Sequence, residues 1–425
     1  MFLVASVVGA GLTANALWPR QRRSLLVIPS FFAAWLVTEL AAQTLVVEIV
    51  GTVGFVWAGA FDEWQGWLGF CLALVSWAGL VVIASRVRHT GGLVERSLVD
   101  GLGADYRSRL TFSSGRARSR AVSTAQLVLA IPFRDRGIEI ERDITYAAGA
   151  GRRHRLDVYR LRETTHGAPV LLQIHGGAWI VGNKRQQALP LMHHLAGQGW
   201  VCVASNYRLS PRATFPDHLI DVKLALRWVR EHIAEYGGDP GFIAITGGSA
   251  GGHLAALTAL TANDPEYQPG FEDVDTSVGA CVPFYGVYDL TNRFGGRGAD
   301  GMAGLAERVV LRKPLADELE AFERASPISR VYPDAPPFMI VHGTDDSLVP
   351  VAEARAFAER VRSTSRGPTV YLELPGAQHA FELFYTVRSD RVVHGVHRFL
   401  GFVHQSRAVA GPAELGPAVP ATAQP

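Results

Sequence analysis

The chain is poor in cysteine, in net charge and in repetition, and each shortage removes a class of protein. Its three cysteines, Cys71, Cys202 and Cys281, are scattered; they make neither a disulfide framework nor a metal site and read as small buried hydrophobes. A formal net charge of +2 over 425 residues leaves no electrostatic footprint for nucleic acid. No internal repeat and no heptad pattern stands out, which argues against solenoids and coiled coils. What the chain has is length enough for one large α/β domain and something more. It also has 44 glycines and a positive mean hydropathy, and the apolar excess sits in the first 85 residues.

Residues 1–88 read as a transmembrane anchor of three or four helices. Segment 2–18 is apolar, Arg20, Arg22 and Arg23 are basic, and 24–61 is a long apolar stretch. The polar break Asp62-Glu63-Trp64-Gln65 then precedes the apolar run 67–85. A cleaved signal peptide explains only the first segment. With about 20 residues needed per crossing, 67–85 suffices for one and 24–61 for two, with Glu39, Gln43 and Thr44 at the turn. Trp18, Trp57, Trp64 and Trp67 stand near segment ends, as interfacial anchors do. A multi-pass protein of the cell membrane is expected, touching lipid through these helices. Arg20, Arg22 and Arg23, taken with Arg86 and Arg88, favour an odd number of crossings and keep the following domain inside. Segment length favours four crossings and places it outside, so the two arguments conflict on sidedness.

Residues 89–137 form a basic linker. Its Arg96, Arg107, Arg109, Arg116, Arg118 and Arg120 mark either a solvated juxtamembrane stretch or a surface for anionic headgroups. From 138 to 405, apolar strand-like runs alternate with helical ones. Strands are expected at 138–146, 155–161, 170–174, 200–205, 242–246, 278–285, 337–341 and 369–374. That rhythm predicts a mostly parallel sheet with helices on both faces. The stretch 291–330 interrupts it and reads as a cap insertion beside the pocket. Residues 406–425, rich in alanine and proline without periodicity, read as a disordered tail.

The sharpest local signal is Gly247-Gly248-Ser249-Ala250-Gly251, with the apolar run 242–246 before it and the helical run 253–260 after it. Strand, Gly-x-Ser-x-Gly turn and helix hold a serine in a strained turn, with its hydroxyl above the sheet and a helix N-terminus beneath. Such a hydroxyl needs a base to take its proton and an acid to orient that base. In this topology they follow in the order serine, acid, histidine. The run 337–341 leads into His342-Gly343-Thr344-Asp345-Asp346, and 369–374 leads into Pro375-Gly376-Ala377-Gln378-His379. His379 is the candidate base, and Asp345 and Asp346 compete as the acid. An oxyanion needs two or three backbone N–H donors aimed at one point. Gly176 and Gly177, without Cβ atoms, can approach closely, Ala250 supplies a third donor, and His175 braces the loop. This chemistry calls for no metal and no organic cofactor.

His175-Gly176-Gly177-Ala178-Trp179, Asn206-Tyr207-Arg208-Leu209-Ser210-Pro211, the serine pentapeptide, His342-Gly343-Thr344-Asp345-Asp346 and Gly376-Ala377-Gln378-His379-Ala380-Phe381 occur in this order. Together they resemble the α/β-hydrolase esterases of the hormone-sensitive-lipase-like group and its carboxylesterase relatives, over about residues 138–404. Beside the N-terminal apolar region, the chain looks like the membrane- or envelope-associated esterases of actinobacteria. The resemblance implies the α/β-hydrolase fold and a serine carboxylic-ester hydrolase, esterase or lipase, working through an acyl-enzyme on a small-molecule or lipid ester. In that group the acid is the last residue of His-Gly-x-x-Asp, which implies Asp346 over Asp345. The same motifs imply the oxyanion role for Gly176, Gly177 and Ala250. Two departures stand out: Gly248 where the group has aspartate, and Ala178 where it has a third glycine. Both recur in feruloyl- and acetyl-esterase-like relatives and in kynurenine-formamidase-like amidases. An amidase or formamidase on the same triad, or an inactive membrane scaffold, therefore stands as the alternative.

Overall fold

The computed structural model describes residues 1–19, 27–110, 129–130, 137–163, 166–294 and 302–410. Arg20, Arg22, Arg23, Arg116, Arg118, Arg120, the glycine-rich 295–301 and the tail from 411 lie outside the described residues. Five helices come first: α1 (Phe2–Leu17), α2 (Val27–Glu39), α3 (Ala41–Trp57), α4 (Trp64–Val87) and α5 (Thr90–Leu102). The Thr13 and Ser76 hydroxyls join α1 to α4 at 2.8 Å. Large apolar side chains on α1–α4, among them Val7, Phe32, Val47, Val53, Trp57 and Val75, face outward. Cys71, on α4, is exposed, whereas Cys202 and Cys281 are buried as expected.

Among the described residues, the rod from Trp64 to Leu102 is long and apolar enough to cross a membrane. There are two candidates if the bent pair α2–α3 counts as one. Three or four crossings were expected, and α2 is one reason for the difference. Its 13 residues span about 20 Å, short of a hydrocarbon core of about 30 Å. The chain turns by 89° between α2 and α3, at the Glu39 turn the sequence suggested. One face of α2 lies on the domain that follows. Glu39 meets Arg388 at 3.1 Å with both side chains buried.

Residues 90–102, expected as linker, are helical. Val94, Leu98 and Leu102 of α5 recur every fourth residue and are buried, so they form one face of the helix. Arg107 pairs with Glu95 and Arg109 with Asp105, so these two arginines have carboxylate partners within the chain.

An eight-stranded sheet forms the rest: β1 (Ile138–Thr145), β2 (Arg155–Leu161), β3 (Ala168–Ile174), β4 (Val201–Ser205), β5 (Gly238–Gly248), β6 (Ala280–Phe284), β7 (Phe338–Gly343) and β8 (Thr369–Leu374). Their spatial order is β1-β2-β4-β3-β5-β6-β7-β8. β1 and β2 pair antiparallel, as do β2 and β4; from β4 to β8 every pairing is parallel. Between the strands run α6 (Leu189–Gly197), α7 (Asp217–His232), α8 (Ala250–Leu260) and α11 (Val351–Thr364), and α12 (Val387–Ala410) closes the chain. The 291–330 insertion contributes the short helices α9 (Met302–Leu305) and α10 (Leu319–Arg324). α12 continues through 406–410, which composition had assigned to the tail.

The inner stretches of β3, β5 and β7 are apolar runs, as 170–172, 242–245 and 338–341 show, because helices cover both faces. Ile174 pairs with Gly247, Gly248 with Phe284, and Gly343 with Leu374. The loops after β3, β5, β6, β7 and β8 therefore leave the sheet along one edge, where ligand sites of parallel sheets gather.

Candidate active site

Ser249 sits between β5 and α8 with φ 57° and ψ −123°, a backbone conformation that L-residues adopt only when neighbours enforce it. Its N–H donates to the Phe284 carbonyl at 3.0 Å. Gly251 explains the close approach. A Cβ there would lie 2.2 Å from the Ile174 carbonyl oxygen, so only glycine lets α8 start against β3. Ser249 is 8% exposed and His379 5%.

The loops after β7 and β8 meet across a hydrogen bond of 2.6 Å between His379 Nδ1 and Asp346 Oδ2. Asp346 is buried, and its Oδ1 accepts the N–H groups of Leu348 and Val349 at 2.9 and 2.8 Å. His342 Nε2 lies 3.3 Å from Oδ2. Burial alone pushes this carboxyl up, but the His379 and His342 rings outweigh it and hold the group below the usual carboxylate range. Asp345, the competing acid, turns the other way: it accepts from the Thr344 hydroxyl and faces Arg86 at 4.0 Å.

The loop after β3 folds over Ser249. A Cβ on Gly176 would lie 3.1 Å from the Ser249 Cβ. Ala178 and Trp179 both have positive φ, 52° and 59°. His175 is fully buried, stacks on Tyr207 with 4.4 Å between ring centroids, and burial lowers its pKa to about 4, as suits a neutral brace. The Gly176 N–H donates to Gln187 Oε1 at 2.6 Å.

Sequence reasoning missed several neighbours. Gln378 Oε1 accepts from the N–H groups of Ser347 and His379 at 2.8 and 2.9 Å, tying the acid loop to the base loop. Tyr285 lays its ring 4.4 Å from that of His379 and donates from its hydroxyl to the buried Glu382. A Cβ on Gly248 would lie 2.6 Å from that hydroxyl oxygen, so the glycine that replaces the expected aspartate makes room for the phenol. From α2, Phe31 reaches His379 and Trp35 reaches Ala380. Apart from Gln378, which lies inside a motif, none of these carried a local signal. Among the described residues, no cluster of three or more His, Cys, Asp or Glu is placed to hold a metal ion.

Residues 156–361 match the family model BD-FAE. The chain is similar over 424 residues to the probable carboxylic ester hydrolase LipM of Mycobacterium tuberculosis, at 44% identity covering 98% of this chain and 96% of that one. It is 47% identical to esterase LipQ of the same organism, covering 74% of this chain and 75% of that one. A thermophilic esterase of the planctomycete Thermogutta terrifontis superposes with a TM-score of 0.51 at 26% identity, covering 66% of this chain and 96% of that one.

Proposed function

Because the chain belongs to the hormone-sensitive-lipase-like group of α/β-hydrolase esterases, and is a carboxylic ester hydrolase, we propose that Ser249, His379 and Asp346 carry its reaction. The observation that supports this most is the His379–Asp346 hydrogen bond of 2.6 Å, taken with a serine held at positive φ between β5 and α8. In this reading His379 takes the Ser249 proton as the oxygen attacks the acyl carbonyl, and Asp346 orients the imidazole and stabilises its charged form. The alcohol leaves with the proton from His379. Water, activated by the same histidine, then releases the acid from the acyl-enzyme. Gly176, Gly177 and Ala250 supply the N–H groups for the oxyanion. Of these, Gly176 has an internal competitor in Gln187, whose amide oxygen the substrate oxygen must replace or share.

Small-molecule or lipid esters are the substrate class, and the fold needs no cofactor for this chemistry. Residues 1–88 attach the enzyme to the cell membrane as a multi-pass region, supported by the candidate spans and by the outward apolar side chains of α1–α4. The inactive-scaffold alternative does not survive the kinship. Ser249→Ala is expected to lower hydrolysis of p-nitrophenyl butyrate by several orders of magnitude and to abolish covalent labelling by a fluorophosphonate. Full activity in that variant removes the assignment.

A further inference from the structure

Ser249 and His379 are nearly covered, and part of the cover comes from the far end of the chain. Phe31 of α2 is buried, and its ring stands at 75° to the His379 imidazole with 6.1 Å between centroids. One turn on, Trp35 holds the helix in place. Its Nε1 donates to the Ala380 carbonyl at 3.0 Å, and its ring lies 4.9 Å from Phe384 and 6.1 Å from Phe31. A further turn on, Glu39 reaches the buried Arg388 at 3.1 Å. Positions 31, 35 and 39 share one face of a helix, so α2 is docked along its length with an aromatic over the histidine. Flanking that face, Ile28, Phe32 and Leu36 are apolar and exposed. Phe32 touches Phe31 at 5.0 Å between ring centroids.

We propose that α2 is the acyl wall of the site, and that Phe31 sets the acyl length and bulk the enzyme accepts. This rests on the assignment of Ser249 and His379 above. The acyl part of an ester needs apolar lining, while its carbonyl needs backbone N–H groups. Phe31 is an apolar ring against the base that comes from outside the hydrolase sheet. Phe32 touches Phe31 and Ile28 is exposed one turn before Phe32, so α2 offers further apolar side chains to an acyl chain that passes Phe31. The substrate class is accordingly esters of medium and long acyl chains.

The test uses the full-length protein in detergent and compares kcat/KM on p-nitrophenyl acetate, butyrate and octanoate. Phe31→Ala is expected to raise the octanoate-to-acetate ratio by about tenfold, and Phe31→Trp to lower it by a similar factor, since each methylene in an apolar pocket is worth at least that much. Phe31→Leu carries the first arm if the alanine variant does not accumulate. A purely structural role scales all three substrates together. Ratios within about twofold of the parent in every variant therefore overturn the proposal. Fluorophosphonate labelling of the parent, lost in Ser249→Ala, is read in parallel. Its persistence in Ser249→Ala sinks the serine assignment, whereas labelled Phe31 variants with unmoved ratios sink the wall alone.

Discussion

Gly248 occupies the position where the esterase group carries aspartate, and Tyr285 shows what the substitution accommodates. The phenol fills the volume a side chain at 248 would need, packs on His379 and is held by Glu382. Gly248→Asp, which restores the group's residue, is therefore expected to lower kcat by at least about tenfold by displacing Tyr285 and with it the base; kinetics on a short-chain ester checks this. At the acid, Asp346→Asn is expected to cost about 10⁴-fold in kcat, while Asp345→Asn, remote from His379, stays within a few fold of the parent. The reverse order overturns the choice of Asp346. Glu382 supplies a pH signature. Burial raises its carboxyl above the ordinary range, against the pull of the Tyr285 hydroxyl. The folded protein therefore keeps that proton at pH values where the unfolded chain has lost it, so this group's contribution to stability falls as pH rises above about 4.3. Glu382→Gln keeps an acceptor for Tyr285 and removes the titration. Its denaturation midpoint is expected to decline less than the parent's between about pH 5 and 8.

Elements differ in how openly the sequence announces them. β3, β5, β7 and β8 were legible because each is a short apolar run ending in glycine-rich or polar loop chemistry. The candidate serine, base and acid all lie just past such ends. α5 was legible in principle, since Val94, Leu98 and Leu102 repeat at helical spacing, but the surrounding arginines drew the reading toward a linker. α2 was not legible. An apolar helix satisfies lipid and protein equally, and hydropathy does not say which it faces. Its one clue was Glu39, a carboxylate in an apolar stretch, whose partner Arg388 lies far along the chain. Removing that partner is the element-scale test. Arg388→Ala leaves Glu39 buried without its cation and is expected to cost about 3–5 kcal/mol. The pair Glu39→Leu with Arg388→Met is expected to recover most of it, as read by thermal denaturation in detergent.

For the molecule as a whole, the resemblance covered the sheet, the elbow and the order of the site residues, while the joining of two regions went unread. Contacts such as Gln187 with Gly176, or Phe31 with His379, depend on segments that only the folded chain brings together. The apolar rod that includes α4 predicts tight membrane association. The full chain is expected to stay with the membrane fraction through an alkaline carbonate wash and to leave it in nonionic detergent; release by carbonate removes α4 as a span. Trp35, bonded to the Ala380 carbonyl at 3.0 Å, bears on how this enzyme is prepared at the bench. The obvious route to a well-behaved recombinant product is to begin the gene after the apolar helices. That cut discards Trp35 and, with it, Phe31 beside His379, so the shortened product is expected to be a different catalyst with its own selectivity. Inhibitors ranked against it would be ranked without a ring that the native enzyme sets against His379.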